Sequence, residues 1–405
     1  MSALRVLVVA TKAPHPPIGG GNVALDALLR ALADSGVEVR VVAPSRCEGT
    51  SDPAPYSLRP AAAARPWFRL ATHVAAGVPI GVARYHLPAL ADAVEAELAA
   101  FDPQVVHVEQ AQLTWLVLRL SSRRPLVLRQ QNVESRILER LAGTRAGFVA
   151  SFLRREARRT AAVEARACRA AGTVAAISEP DAAVLRSLAP ASRVVVLPAP
   201  LPHFTATAAP ALRGNPPLLC LGSFDWWPNG DGARWLLREV WPTLRDSLPG
   251  AVLHVAGPGS QRLGRTHDDR IERHGVVRDP AALYDPLAVA LVPVRAGSGV
   301  RLRILEAWMA RVPVVTTSVG GEGLVAAGGR RALIADEPHA FAAAAVRLAR
   351  DPSLRDDLIR GGEAALEGHR SVTVARMAVE TYRETIARHR REARPPWAGR
   401  VSGRG

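Results

Sequence analysis

Residues 292–315 read VPVRAGSGVRLRILEAWMARVPVV: two valine-rich runs flank a Gly-Ser-Gly turn, three arginines close to that turn (Arg295, Arg301, Arg303), a fourth at Arg311 and one glutamate, Glu306. The first run ends in a turn and the second opens the next apolar segment, with helical spacing between them. That is strand, turn, helix, strand, the unit of a parallel sheet covered on both faces. Ser298 is expected as the N-cap of a helix starting near Val300. Backbone N–H groups at that start, the positive end of the helix dipole and the three arginines are expected to converge on one anion. A pyrophosphate has the matching charge.

The same alternation runs in both directions. LRVLVVA, the Pro/Gly loop PHPPIGGGN, the helical VALDALLRALADSG and VEVRVVAP form one such unit at the N-terminus, and strands follow at 104–109, 125–129, 173–177 and 193–197. Helices are expected at about 86–100, 134–142, 147–171 and 178–188. Residues 198–217 lose periodicity and are dense in proline and alanine, which marks a linker. After it LLCLGS, AVLHVAG, IERHGVV, VALVPV, VPVVTTS and RALIAD resume the strand pattern. The fold class is α/β, with two Rossmann-like doubly wound domains facing a central cleft. They span 1–197 and 218–370, a last helix at 371–392 crosses back to the first, and 393–405 is a disordered tail.

With 405 residues, 48% of them hydrophobic, the chain exceeds what one growing core supports. No apolar run is long enough to span a membrane, and no signal sequence opens the chain, so the reading is a cytoplasmic protein. Cys47, Cys168 and Cys220 lie in no metal or disulfide pattern. The net charge of +15 is carried by arginine, Lys12 being the single lysine. Such a surplus must face nucleic acid, an anionic membrane or phosphorylated substrates. Aromatics at 5% argue against a nucleic-acid face, which interleaves rings with cations. The basic stretch 147–171 suits an ordinary helix covering the first domain's sheet and also resembles a membrane-surface helix, and the two readings agree if its apolar face turns inward and its arginines meet anionic lipid.

The stretch 274–324 resembles the C-terminal domain of the retaining group 1 glycosyltransferases of GT-B fold (family 4-like), in a branch with the pattern G-x-G-x-R-x-[KR]-x-x-E-A. LGSFDWWPNGDGARWL (221–236), HVAGPGS (254–260), RQQNVESRILER (129–140), AISEPD (176–181) and the glycine loop at 19–21 agree with it. The resemblance implies transfer of a sugar from a nucleotide diphosphate sugar to a hydroxyl acceptor, such as a lipid-linked saccharide or polysaccharide in cell-envelope or exopolysaccharide synthesis. No cofactor is expected, and no metal is needed if arginines neutralise the pyrophosphate; no Asp-x-Asp metal motif occurs. Glu306 is implied to bind the ribose hydroxyls. Ser298 stands where many relatives have a sugar-contacting glutamate, and GSFDWWPNG lacks the cations that often clamp the pyrophosphate, so Arg301 and Arg303 are expected to replace them. Gly297 and Gly299, with Gly222, Ser223, Gly257, Gly259 and Val277, line the donor side. Gly19, Gly20 and Gly21 bring backbone N–H groups to phosphate or sugar. His107 and Glu109 share one face of a strand end, where relatives often carry an active-site histidine at the position of Glu109. They are catalytic candidates and equally candidates for capping a buried strand. Glu322 is expected to face the cleft. A nucleotide-sugar epimerase of the same fold and a degenerate, inactive scaffold stay open as alternatives.

Overall fold

Among the described residues thirteen short strands, most without a charged residue, pair only in parallel, and this is why most of them read as apolar runs: both faces of each sheet are covered. The computed structural model describes residues 3–15, 19–45, 54–62, 67–201, 212–264, 268–277, 279–325 and 330–392. Cys47, most of the expected linker, the 393–405 tail and part of the loop before Gly19 lie outside the described residues. In the first half β1 (Arg5–Val9), β2 (Glu38–Ser45), β3 (Ser57–Ala62), β4 (Val105–Glu109), β5 (Leu126–Gln130), β6 (Thr173–Ala176) and β7 (Val194–Val196) form a sheet of order β3-β2-β1-β4-β5-β6-β7. In the second, β8 (Pro217–Leu221), β9 (Val252–Ala256), β10 (Ile271–Gly275), β11 (Val289–Val292), β12 (Val314–Thr316) and β13 (Leu333–Ile334) are ordered β10-β9-β8-β11-β12-β13. The order reverses direction beside β1 and beside β8, and the loops after the strands there open a crevice.

Strand β3 was not expected from the sequence. It is an edge strand, mostly exposed and carrying Pro60, so it lacks the apolar run that betrays its neighbours.

The helix Ser371–Glu392 packs on the first sheet. Val374, Ala378, Tyr382 and Ile386, spaced four apart, sit in one core with Val6, Val8, Val105 and Val127. Tyr382 is fully buried, and its hydroxyl lies 2.6 Å from His107 Nδ1.

The expected helix start near Val300 is corrected. The helix runs Leu302–Met309 with Arg301 at its N-cap, and Ser298 caps nothing. Gly299 is the reason: its φ of +75° breaks helical geometry, and a Cβ there would lie 2.1 Å from the carbonyl oxygen of Gln131, in the first half of the chain. The turn after β11 thus touches the end of β5 backbone to backbone, with no room for a side chain. Apolar contacts continue the seam: Ala24 and Ile177 join a core with Leu302 and Ile304, and Ala296 packs with Ile137, Leu141 and Leu153.

Two outcomes follow from these contacts. Tyr382→Phe leaves a buried imidazole nitrogen without its partner and lowers stability by about 1–3 kcal/mol, read as a fall in the urea midpoint with an unchanged slope; an unchanged midpoint would show that the bond adds nothing. Gly299→Ala wedges the halves apart and raises the radius of gyration in X-ray scattering. Gly264→Ala, where φ is +103° and nothing lies within 4 Å, imposes comparable backbone strain with no clash and leaves the radius unchanged.

Candidate donor cleft

Strand-end loops of both halves meet at Ser298, which is 1% exposed. Its Oγ donates to Asp181 Oδ1 at 2.5 Å and accepts from the Val133 N–H at 2.8 Å. Gly299 N–H donates to the same Asp181 oxygen at 3.2 Å. Asp181 stands in the first turn of the helix Glu179–Leu188, whose N-cap Ser178 donates to its Oδ2. A carboxylate therefore stands against Ser298, supplied by the opposite half.

Glu322 also reaches across. Rather than standing open in the cleft, it accepts from Arg136 at 2.8 Å and from Arg140 at 2.7 Å, both on the helix Glu134–Gly143. Arg140 donates as well to the Gly297 carbonyl at 2.5 Å. The start of that helix is held by Glu164, whose Oε1 accepts from the Glu134 N–H at 2.7 Å and whose other oxygen accepts from the Ser135 hydroxyl at 2.5 Å. Burial pushes the Glu164 carboxyl up to about 7.

The three arginines do not converge on one point. Arg295 binds Asp231 at 2.9 Å, and Arg145 of the first half approaches the same carboxylate at 3.1 Å. Arg303 pairs with Glu306. Arg301 differs from both. It is 7% exposed, bonds the Ser298 carbonyl, lies 5.5 Å from the centre of the Trp226 ring, and has a buried Nε with no hydrogen-bond partner. Burial holds its guanidinium down to about 10, against the opposing pull of Asp181 and Glu322. It is still a cation at neutral pH, and one whose hydrogen bonding is incomplete. Glu306 takes Tyr284 Oη at 3.1 Å and Arg303 on the same oxygen, Oε2.

Across the cleft, Gly19 has φ +85° and stands at the N-cap of the helix Gly20–Asp34, so Gly20 and Gly21 of the expected glycine loop form its first turn, and a Cβ on Gly20 would lie 3.8 Å from Leu302 at the start of the Leu302–Met309 helix. Gly257 is fixed by packing: a Cβ there would lie 2.0 Å from the Gly222 carbonyl oxygen, and one on Gly259 2.5 Å from Asp225. The loop holding Gly222 and Ser223 is thereby stacked on the one after β9. Val277 follows β10, half-buried.

His107 and Glu109 lie inside the first half, 0% and 2% exposed. Glu109 accepts from His107 Nε2 at 2.8 Å, Arg129 at 2.9 Å and Gln131 Nε2 at 2.7 Å. Burial would raise its carboxyl, but Arg129, His107 and Gln131 outweigh burial and hold it below the ordinary range. Gln131 also donates to the Gly21 carbonyl at 3.0 Å. The pair thus acts on the glycine loop through Gln131. Asp181, Arg136, Arg140, Gln131 and Tyr284 lie in stretches that carry the family resemblance, but nothing in those stretches singles them out. Only the i,i+4 spacing of Arg136 and Arg140 marks a shared helix face.

Residues 18–203 match the family model described as Glycosyltransferase Family 4, and residues 215–351 the model described as Glycosyl transferases group 1. An uncharacterized 44.6 kDa protein in cps region of Klebsiella pneumoniae is 27% identical over 135 residues, 31% of this chain and 35% of that one, so the match spans about a third of the curated relative's length. Sucrose-phosphate synthase from Thermosynechococcus elongatus shares the fold with a TM-score of 0.70 at 19% identity, over 95% of this chain and 99% of that one. Anabaena HepE in complex with UDP does so with a TM-score of 0.64 at 15% identity, over 94% of this chain and 100% of that one. Matched in both halves by these models and sharing the two-domain GT-B fold, the chain belongs to the group 1 glycosyltransferases.

Proposed function

We propose that the chain transfers a sugar from a nucleotide diphosphate sugar to a hydroxyl acceptor, with retention at the anomeric centre and without a metal in the cleft. The observation that carries this reading is Arg301, a buried guanidinium with an unpartnered Nε beside the strand-end turn of a GT-B cleft. A buried cation short of hydrogen bonds gains most when an anion arrives. As the sugar leaves, negative charge builds on the departing nucleoside diphosphate, and Arg301 stabilises it in a site that excludes water. Arg303 serves differently from the expected clamp: with Tyr284 it fixes Glu306 through Oε2 and leaves Oε1 to accept from a ribose hydroxyl. Asp181, held by Ser298, supplies a carboxylate to the sugar side of the turn. His107 and Glu109 position Gln131 and the glycine loop. The UDP and UDP-glucose complexes of Anabaena HepE support a donor of this class.

An envelope or exopolysaccharide acceptor at the cytoplasmic membrane face agrees with the helix Gly147–Ala170. Phe148 (85% exposed), Val149 and Phe152 stand out at its start, with exposed Arg154, Arg155 and Arg158 beside them, while Leu153 and Ala157 face inward. Among the described residues no helix is long and apolar enough to cross a membrane. The curated relative in the cps region fits glycan synthesis.

At least one nucleoside diphosphate is expected to raise the melting temperature, and Arg301→Ala to weaken its binding about 10- to 100-fold, roughly 1.4–2.8 kcal/mol. A wild-type chain stabilised by no nucleoside diphosphate or nucleotide sugar refutes the transferase reading. Full affinity in Arg301→Ala removes that residue from it.

A further inference from the structure

On the outer strand pair of the second sheet, the parallel register sets His254 of β9 beside Glu272 of β10. His274 lies two residues further along β10, where the register with β9 shifts between Arg273 and Gly275, and its ring stacks on that of His254 with centroids 5.3 Å apart. His254 is fully buried, while the side chains of Glu272 and His274 are 30% and 26% exposed. His254 Nδ1 lies 3.0 Å from His274 Nε2 and 3.3 Å from Glu272 Oε2, and His274 Nε2 lies 3.9 Å from the same oxygen. A tetrahedral ion with bonds of about 2.0–2.2 Å has ligand-to-ligand edges of about 3.3–3.6 Å, and the three distances bracket that range.

Contacts with Arg213 orient two of the three groups. His254 Nε2 is 2.8 Å from the Arg213 carbonyl oxygen, which can only accept, so Nε2 carries the proton and Nδ1 presents its lone pair. The Arg213 guanidinium lies 3.3 Å from Glu272 Oε1 and turns the other carboxylate oxygen toward the imidazoles. A proton on His274 Nε2 accounts for the contact between the two rings. A divalent cation in place of that proton would take the two imidazole lone pairs and the carboxylate oxygen together.

We propose that His254 Nδ1, His274 Nε2 and Glu272 Oε2 bind one divalent transition metal, with zinc the best match to two imidazoles and a carboxylate. The exposed side of Glu272 and His274 leaves a fourth position to water. The ion ties edge strand β10 to β9 and to the chain at Arg213, where it enters β8. None of the three residues bonds the cleft groups described above, so the site is structural and stands apart from sugar transfer.

The test uses the untagged chain, stripped with EDTA and dialysed against micromolar zinc chloride. Elemental analysis is expected to give about one zinc per chain, and zinc to raise the melting temperature. His274→Ala and Glu272→Gln, both partly exposed and so tolerated by the fold, each abolish that equivalent while keeping the circular dichroism spectrum of the stripped wild type. Cobalt in place of zinc gives the visible bands of a four-coordinate ion in the wild type alone. A wild-type chain that retains no stoichiometric zinc, or a His274→Ala chain that retains all of it, overturns the proposal.

Discussion

The Ser298 hydroxyl is held between two groups of the opposite half, donating to Asp181 and accepting from the Val133 N–H. Because Gly299 lies against the Gln131 carbonyl, with no space for a Cβ, the turn after β11 has one seat. The environment of Arg301 follows from that seat. With the turn pressed on the end of β5, the guanidinium is cut off from water, and its ionisation is lowered by burial. Opening the seam would rehydrate it and remove what makes it respond strongly to an anion. Glu322 with Arg136 and Arg140, and Asp231 with Arg145, flank the same seam. These outer pairs are partly exposed and individually weak, so they guide closure more than they drive it.

Behind the seam a chain of buried polar groups links the C-terminal helix to the cleft. Tyr382 meets His107, His107 meets Glu109, Glu109 meets Gln131, and Gln131 holds the carbonyl of Gly21. Each is costly to bury alone and is satisfied by the next. The helix Ser371–Glu392 thus does more than cover a sheet: it completes the network that fixes the glycine loop opposite Leu302.

What the sequence made legible was local. Short apolar runs, many of them rich in valine, mark most strands of both sheets because parallel strands are apolar on both faces, and β3 escaped because an exposed edge needs no such run. Ser298, Arg301 and Glu306 stood out as candidates because turn, arginine and glutamate fall within one short motif. Their partners were not, because Asp181 is 117 positions from Ser298 and Arg140 is 182 from Glu322. The helix start was misplaced because Ser298 fits an N-cap, while the clash that Gly299 avoids belongs to another part of the chain. Arg295 and Arg303 were expected beside a phosphate because charge alone is visible in sequence, whereas their consumption by Asp231 and Glu306 is a fact of packing. His254, Glu272 and His274 come together only through sheet register.

The central claim is that Arg301 is the cation kept for the donor, while its two neighbours serve the protein. A crystal structure with a nucleoside diphosphate bound tests this most directly. The account predicts a diphosphate oxygen about 3 Å from Arg301 Nε, with Arg295 still on Asp231 and Arg303 still on Glu306. A diphosphate held by Arg295 or Arg303, with Arg301 Nε still unpartnered, would contradict it.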